Sequence, residues 1–420
     1  MKNRPADKWV IVVPDGMYDY PQESLGGLTP LEAASTPAMD RLAREGAVGL
    51  LQTVPAGVKP GSDVAILTIV GCDVKRFYTG RAPLEAVAMG IELADDERAF
   101  RMNLVTVADG RLEDFSAGHI ETGEARVLVE ALQEAFGSDR YSFYTGVGYR
   151  HIMKRKGEAL DVRSFPPHDV MGKVLGEILP SGPGAAEIVG LMKRSQGLLE
   201  SHPVNVGRRE RGEKSANMIW LWGDGPRPRM PSFQESFGLS GACITAVDLI
   251  RGIGILLGWK HIAVKGATGY LDTDYAAKGE AAVWAMEGHD LVFVHIEAPD
   301  EAGHEGDARA KCESIARVDE LIVEPILRAA AKRGGTRFAV LGDHFTPVKL
   351  RTHSGEPVPF AVWGPGISSS GCAGFGERSA RSSGLFVEEG HQFMERFIGG
   401  EFHDPGAREK SPGRRRGGGC

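Results

Sequence analysis

Trp9-Val10-Ile11-Val12-Val13 is an uninterrupted apolar run closed by Pro14-Asp15-Gly16, the pattern of a strand buried on both faces. Such a strand presents Asp15 at its carboxyl end. Thr36-Pro37 predicts a helix start, with Thr as cap and Pro in the first position; Met39, Leu42 and Ala43 share one face, and Gly46 is the stop. Val48 to Thr53 reads as a second strand leading to Lys59-Pro60-Gly61. There the chain turns into the apolar run Val64 to Val70, a helix with Ser62 at its N-terminus. The strand and helix alternation predicts a parallel α/β sheet flanked by helices, whose sites lie at the carboxyl ends of the strands.

Between residues 85 and 215 the pattern changes. Short strand-like runs (Phe100 to Val107, Tyr141 to Val147, Tyr149 to Met153) surround one amphipathic helix, Thr122 to Phe136. This predicts a smaller α+β domain, 85–215, inserted into a discontinuous core domain made of 1–84 and 216–405. The core pattern resumes at Met218 to Trp222 and continues with a helix, Ala246 to Leu257, and a short strand, His261 to Val264. Two buried-type strands follow, Asp290 to His295 and Arg337 to Leu341, separated by one long helix, Ala308 to Ala331. The glycine- and arginine-rich end, 406–420, reads as a disordered tail.

Composition narrows the function. With 420 residues the chain can bury a sizeable core, and a net charge of −7 gives no general nucleic-acid footprint. No apolar stretch reaches the ~18 residues a membrane span needs, and the polar start resembles no signal peptide. The 5 cysteines are scattered, never in a Cys-x-x-Cys pair, so free thiols in a reducing cytoplasm are expected and a cysteine metal site is not. Oligomeric state is left open by the sequence.

The chemistry concentrates where strands end. Ser62 at a helix N-terminus caps the helix or, in that field of free N–H groups, carries a phosphoryl group. Asp300 and His304, four apart, fall on one side of a helical turn. Gly342-Asp343-His344-Phe345-Thr346-Pro347 follows the last buried strand, and His353-Ser354-Gly355-Glu356-Pro357-Val358-Pro359 comes after it. Singly, each histidine reads as a surface or capping residue. Together, Asp and His groups at successive strand ends suit Mn²⁺, Zn²⁺ or Mg²⁺.

Asp-Gly after the first strand, Pro-Gly-Ser-Asp before a helix, Asp-x-x-x-His, Gly-Asp-His-x-Thr-Pro and His-Ser-Gly-x-Pro-Val-Pro, in that order, resemble the alkaline phosphatase superfamily. More narrowly, they resemble the archaeal-type cofactor-independent phosphoglycerate mutases. Tyr78-Thr79-Gly80-Arg81-Ala82-Pro83-Leu84-Glu85-Ala86, Phe115-Ser116-Ala117-Gly118 and Gly148-Tyr149-Arg150-His151 fit as well, and the likeness runs from about Trp9 to Phe397.

The resemblance implies an alkaline-phosphatase-like core and a two-metal phosphoryl-transfer site. Asp300, His304 and His353 would hold one ion; Asp15, Ser62, Asp343 and His344 the other. Mn²⁺ fits this donor mixture best, with Zn²⁺, Co²⁺ and Mg²⁺ compatible. The expected reaction moves the phosphoryl group of 3-phosphoglycerate onto Ser62 and back to give 2-phosphoglycerate, with no external bisphosphoglycerate. A small polyanionic substrate calls for basic groups: Arg150 first, Arg81 second, and Lys265 at the end of a predicted strand. His119 is a candidate proton shuttle. The same phosphoserine could discharge to water or to another alcohol, so a phosphatase or a phosphotransferase such as a homoserine kinase is the alternative. A non-catalytic metal-binding scaffold is disfavoured because Ser62 and every ligand are present.

Overall fold

A computed structural model describes residues 6–402, so the expected tail, 406–420, lies outside the described residues. The chain divides into two compact units. The first comprises the residues up to Arg76, Pro231–Ile250 and those from Leu257 onward; the second comprises Phe77–Met230 and Arg251–Leu256.

The first unit is built on an eight-stranded sheet in the order Phe386–Val387, Ala47–Leu51, Val358–Trp363, Thr336–Leu341, Lys8–Pro14, Leu291–Ile296, Gly241–Ile244, Lys260–His261. The strands from Thr336–Leu341 to Lys260–His261 are all parallel, as the continuous apolar runs require. Trp9 to Val13 are at most 2% exposed, and each such side chain contributes roughly 1.5–3 kcal/mol relative to solvent. The sheet is nevertheless mixed. Val358–Trp363 is antiparallel to both of its neighbours, one of which is Ala47–Leu51. The reason is connectivity: the chain leaves Leu341, loops across the carboxyl edge and returns directly, and only an antiparallel strand needs no crossover helix.

The second unit is an antiparallel five-stranded sheet: Arg111–Asp114, Glu97–Ala108, Arg150–Lys156 and Tyr141–Val147, with Met218–Pro226 on the other side of Glu97–Ala108. Helix Thr122–Phe136 packs Ala125, Leu128, Val129 and Leu132 inward. Met218–Trp222 therefore does not resume the core sheet. Its Trp220 and Leu221 are fully buried in the cluster that holds Phe100, Leu128 and Leu191. At the other edge, Ala82 and Ala86 of helix Arg81–Ala88 pack with Ile91, Leu93, Ala99 and Ile152. Hence the unit begins and ends outside 85–215.

Candidate active site

The donor groups of the first unit stand on the segments that follow strands. Asp15 follows Lys8–Pro14, and its N–H is held by the Ile296 carbonyl at 2.9 Å. Gly16 then turns the chain with φ +59°, and its N–H donates to Asp343 Oδ1 at 3.0 Å. Asp300 and His304 lie on helix Ala298–Glu305, which starts immediately after Leu291–Ile296. Asp343, His344 and His353 occupy the loop between Thr336–Leu341 and Val358–Trp363.

These residues converge in two clusters. In one, His304 Nε2 is 3.1 Å from Asp300 Oδ2 and 3.0 Å from His353 Nε2, and His353 Nε2 is 3.5 Å from Asp300 Oδ1. In the other, His344 Nε2 is 3.6 Å from Asp15 Oδ1 and 3.4 Å from Asp343 Oδ2. The clusters touch: the His344 and His353 rings are 4.0 Å apart between centroids. Thr346 ties them, its Oγ1 bonded to Asp300 Oδ1 and 3.2 Å from His344 Nδ1.

Ser62 is the first residue of helix Ser62–Ile69 and does not cap it; the cap position is Gly61, with no side-chain bond. Its Oγ points instead into the second cluster, 3.2 Å from Asp15 Oδ2 and 3.2 Å from His344 Nε2. The helix N-terminus favours an anion, and the carboxylate and imidazole beside the hydroxyl can accept its proton.

The donors fit divalent cations. Asp15 Oδ1 and Asp343 Oδ2 are buried and accept no hydrogen bond among the described residues, a costly state for carboxylate oxygens without a cation. Burial, then the Asp343, Glu297 and Asp300 charges, push Asp15 well above the carboxylate range. His344 and His295 are pushed down to about 4 by burial, which keeps them neutral as ligands must be. Burial would raise Asp300, but the His353 and His304 imidazoles hold it ionised well below its usual range. Burial opposes a proton on His304, yet its bond to Asp300 raises it to about 9.

The remaining candidates are placed as follows. Arg150 opens strand Arg150–Lys156 and is exposed, with its guanidinium 5.6 Å from the Tyr149 ring. His119 is exposed with φ +54°, its ring 6.4 Å from that same Tyr149, so both residues flank one aromatic ring of the second unit. Arg81 Nε is 3.0 Å from Glu85, which also takes Arg101 at 2.8 Å. Lys265 does not end a strand. Only Lys260–His261 joins the ladder, and Lys265 is exposed in the turn beyond. Three residues were not singled out from the sequence: Thr346, His295 and Glu297. Thr346 sits inside the Gly-Asp-His-x-Thr-Pro run, and His295 closes a buried strand, which was the available signal.

This geometry defines the class: an α/β protein with a helix-terminal serine beside two adjoining Asp/His clusters that could each hold a metal ion. The family model described as 2,3-bisphosphoglycerate-independent phosphoglycerate mutase matches residues 43–205. A 2,3-bisphosphoglycerate-independent phosphoglycerate mutase of Methanothrix thermoacetophila is 48% identical over 94% of this chain and 100% of its own length. One from Methanothermobacter thermautotrophicus is 49% identical over 96% of this chain and 98% of its own. Among solved structures, a Pyrococcus horikoshii protein superposes with TM-score 0.78 at 31% identity, covering 94% of this chain and 97% of that one. The cofactor-independent phosphoglycerate mutase of Thermoplasma acidophilum gives 0.63 at 27%, covering 93% and 99%. The chain belongs to the 2,3-bisphosphoglycerate-independent phosphoglycerate mutase family.

Proposed function

We propose that this chain interconverts 3-phosphoglycerate and 2-phosphoglycerate in the cytoplasm, without 2,3-bisphosphoglycerate, through a phosphoserine on Ser62. The observation that carries this is the Ser62 hydroxyl, 3.2 Å from both Asp15 and His344 at the start of a helix. Asp300, His304 and His353 would hold one divalent cation, and Asp15, Ser62, Asp343 and His344 a second, Mn²⁺ suiting the donors best; when bound, they stabilise the anionic oxygens of an in-line phosphoryl displacement.

The chain's own residues do the rest. Asp15 accepts the Ser62 hydroxyl hydrogen bond and so aims the oxygen. As the Ser62–phosphorus bond forms, the Ser62 O–H proton passes along its hydrogen bond to Asp15. The bond to the glycerate oxygen breaks and that oxygen takes a proton through His119, while the N–H groups opening helix Ser62–Ile69 face the new phosphate. Arg150 and Arg81 hold the glycerate by its carboxylate. His119 moves a proton between the two glycerate hydroxyls, and the second hydroxyl takes the phosphoryl group back.

The test is an enolase-coupled assay with Mn²⁺ and 3-phosphoglycerate, leaving out 2,3-bisphosphoglycerate. Turnover should vanish with EDTA and return with Mn²⁺, and Ser62→Ala should abolish it while far-UV circular dichroism is unchanged. Substantial turnover in Ser62→Ala would overturn the phosphoserine. Wild-type protein that binds metal and cleaves an aryl phosphate, yet is silent in the coupled assay, would move the function to another acceptor.

A further inference from the structure

Arg101 lies outside every motif read from the sequence. It stands on strand Glu97–Ala108, opposite Ile152 of one neighbouring strand and Trp222 of another, and is 6% exposed. Its guanidinium lies over the Trp222 ring, 4.3 Å from the centroid. Trp222 is itself fixed, its Nε1–H donating to Asn103 Oδ1 at 3.0 Å. Arg101 Nε is 2.8 Å from Glu85 Oε2, while Glu85 Oε1 takes Arg81 Nε at 3.0 Å. One carboxylate thus serves two guanidiniums, and a third is near. Burial would raise Glu85, but the Arg101, Arg81 and Arg150 charges hold it below its usual range. Burial pushes Arg101 down to about 10 against the pull of Glu85, and the Arg81 and Arg150 charges push the same way as burial.

Three positive charges against one negative leave two uncompensated. The two terminal nitrogens of Arg101 have no hydrogen-bond partner among the described residues, and Arg150 forms no ion pair among them. Four N–H groups on a planar fork, largely withdrawn from water, are best satisfied by an anion that offers two oxygens. We propose that Arg101 is a substrate-binding residue whose two terminal nitrogens take the substrate's carboxylate, with Glu85 positioning the fork through Nε. In the proposed reaction the phosphoryl group goes to Ser62, so the carboxylate is the anionic end left for the guanidiniums; the inference rests on that reading.

The experiment separates the two anionic ends of the substrate. Glycerol 3-phosphate is 3-phosphoglycerate with a hydroxymethyl group in place of the carboxylate, and both are titrated calorimetrically into full-length Mn²⁺-loaded protein. Arg101→Gln should weaken 3-phosphoglycerate at least 30-fold and leave glycerol 3-phosphate within twofold. Arg101→Lys keeps the charge without the fork and should fall between. Equal weakening of both compounds, or of neither, overturns the assignment. Glu85→Gln makes the site more positive, so a role through charge alone would tighten 3-phosphoglycerate; a positioning role loosens it, and tightening overturns that role. Wild-type protein that binds as expected yet is silent in the enolase-coupled assay overturns the mutase reading alone; wild type that binds neither compound overturns both. A crystal structure of the wild type with Mn²⁺ and D-glycerate needs no variant to fold. The carboxylate oxygens should lie about 2.7–2.9 Å from Arg101 Nη1 and Nη2, and a carboxylate bound elsewhere refutes the assignment.

Discussion

Gly16 shows how closely single residues are constrained at this site. A Cβ on it would lie 2.4 Å from Asp300 Oδ1 and 2.5 Å from Thr346 Oγ1, and its φ of +59° is left-handed. Gly16→Ala therefore combines backbone strain of roughly 1–2 kcal/mol with displacement of the Asp300 carboxylate, a proposed cation donor. Mn²⁺ affinity should fall at least tenfold in calorimetric titration, with the far-UV spectrum retained; unchanged affinity would remove Asp300 from the donor set. In the second unit, His151 is 2% exposed, accepts the Gly146 N–H at 3.0 Å through Nδ1, and is pushed down to about 3, first by burial and then by Arg150. The native state thus resists a proton that the unfolded chain takes up near its ordinary 6.5. Stability from this residue is complete above that pH and is lost as pH falls from there toward 3, by at most about 1.4 kcal/mol per pH unit. His151→Asn keeps an acceptor for Gly146 without the titration. Urea unfolding at pH 7.5 and 5.5 should show a larger loss in the wild type than in the variant, and equal losses would contradict a neutral buried His151.

At the scale of elements, the long helix read as Ala308 to Ala331 is interrupted. Ala308–Val318 and Glu324–Arg333 are joined by a π turn, Asp319–Val323. A π turn inserts a residue into the helical register, which 3.6-residue periodicity does not reveal. It has two consequences. The Asp319 carboxylate accepts the N–H groups of Ala38 at 3.0 Å and Met39 at 2.7 Å, so helix Pro37–Glu45 is capped from another element and not by Thr36. The Leu321 carbonyl is also brought so near Gly279 of helix Tyr275–Gly288 that a Cβ there would sit 2.1 Å from it. Asp319→Ala should cost about 1–2 kcal/mol in urea unfolding through two uncapped N–H groups, and Thr36→Val clearly less. The reverse order would return the cap to Thr36.

At the scale of the molecule, the carboxyl edge of the first sheet crowds the buried Asp15, Asp300 and Asp343 together with the half-buried Glu297. Burial followed by the Asp300 and Glu301 charges pushes Glu297 up to about 8, and Asp15 is raised as well. Such an edge is stabilised by bound cations and destabilised without them. A ligand at a thousand times its dissociation constant adds about 4 kcal/mol to the native state. Saturating Mn²⁺ should raise the urea midpoint by a shift of that order, and EDTA should reverse it. A midpoint indifferent to both would mean that the native fold holds no cation here.

Much of this was written in the chain. Continuous apolar runs ending in Asp15 and Asp343, the Asp300–His304 spacing and the Pro-Gly-Ser turn at Ser62 are local patterns, because burial on both faces and the sharpness of a turn act over a few residues. Helix Thr122–Phe136 and strand Tyr141–Val147 likewise emerge with the bounds their periodicity predicts. Other features depend on partners far along the chain. That Met218–Pro226 joins the second sheet, that Val358–Trp363 runs antiparallel, that Asp319 caps a distant helix and that His295 meets Asp15 across 280 residues were decided by tertiary packing. A strand's pattern says that it is buried but not against which neighbour, and a buried polar atom takes whatever partner the folded chain brings within reach.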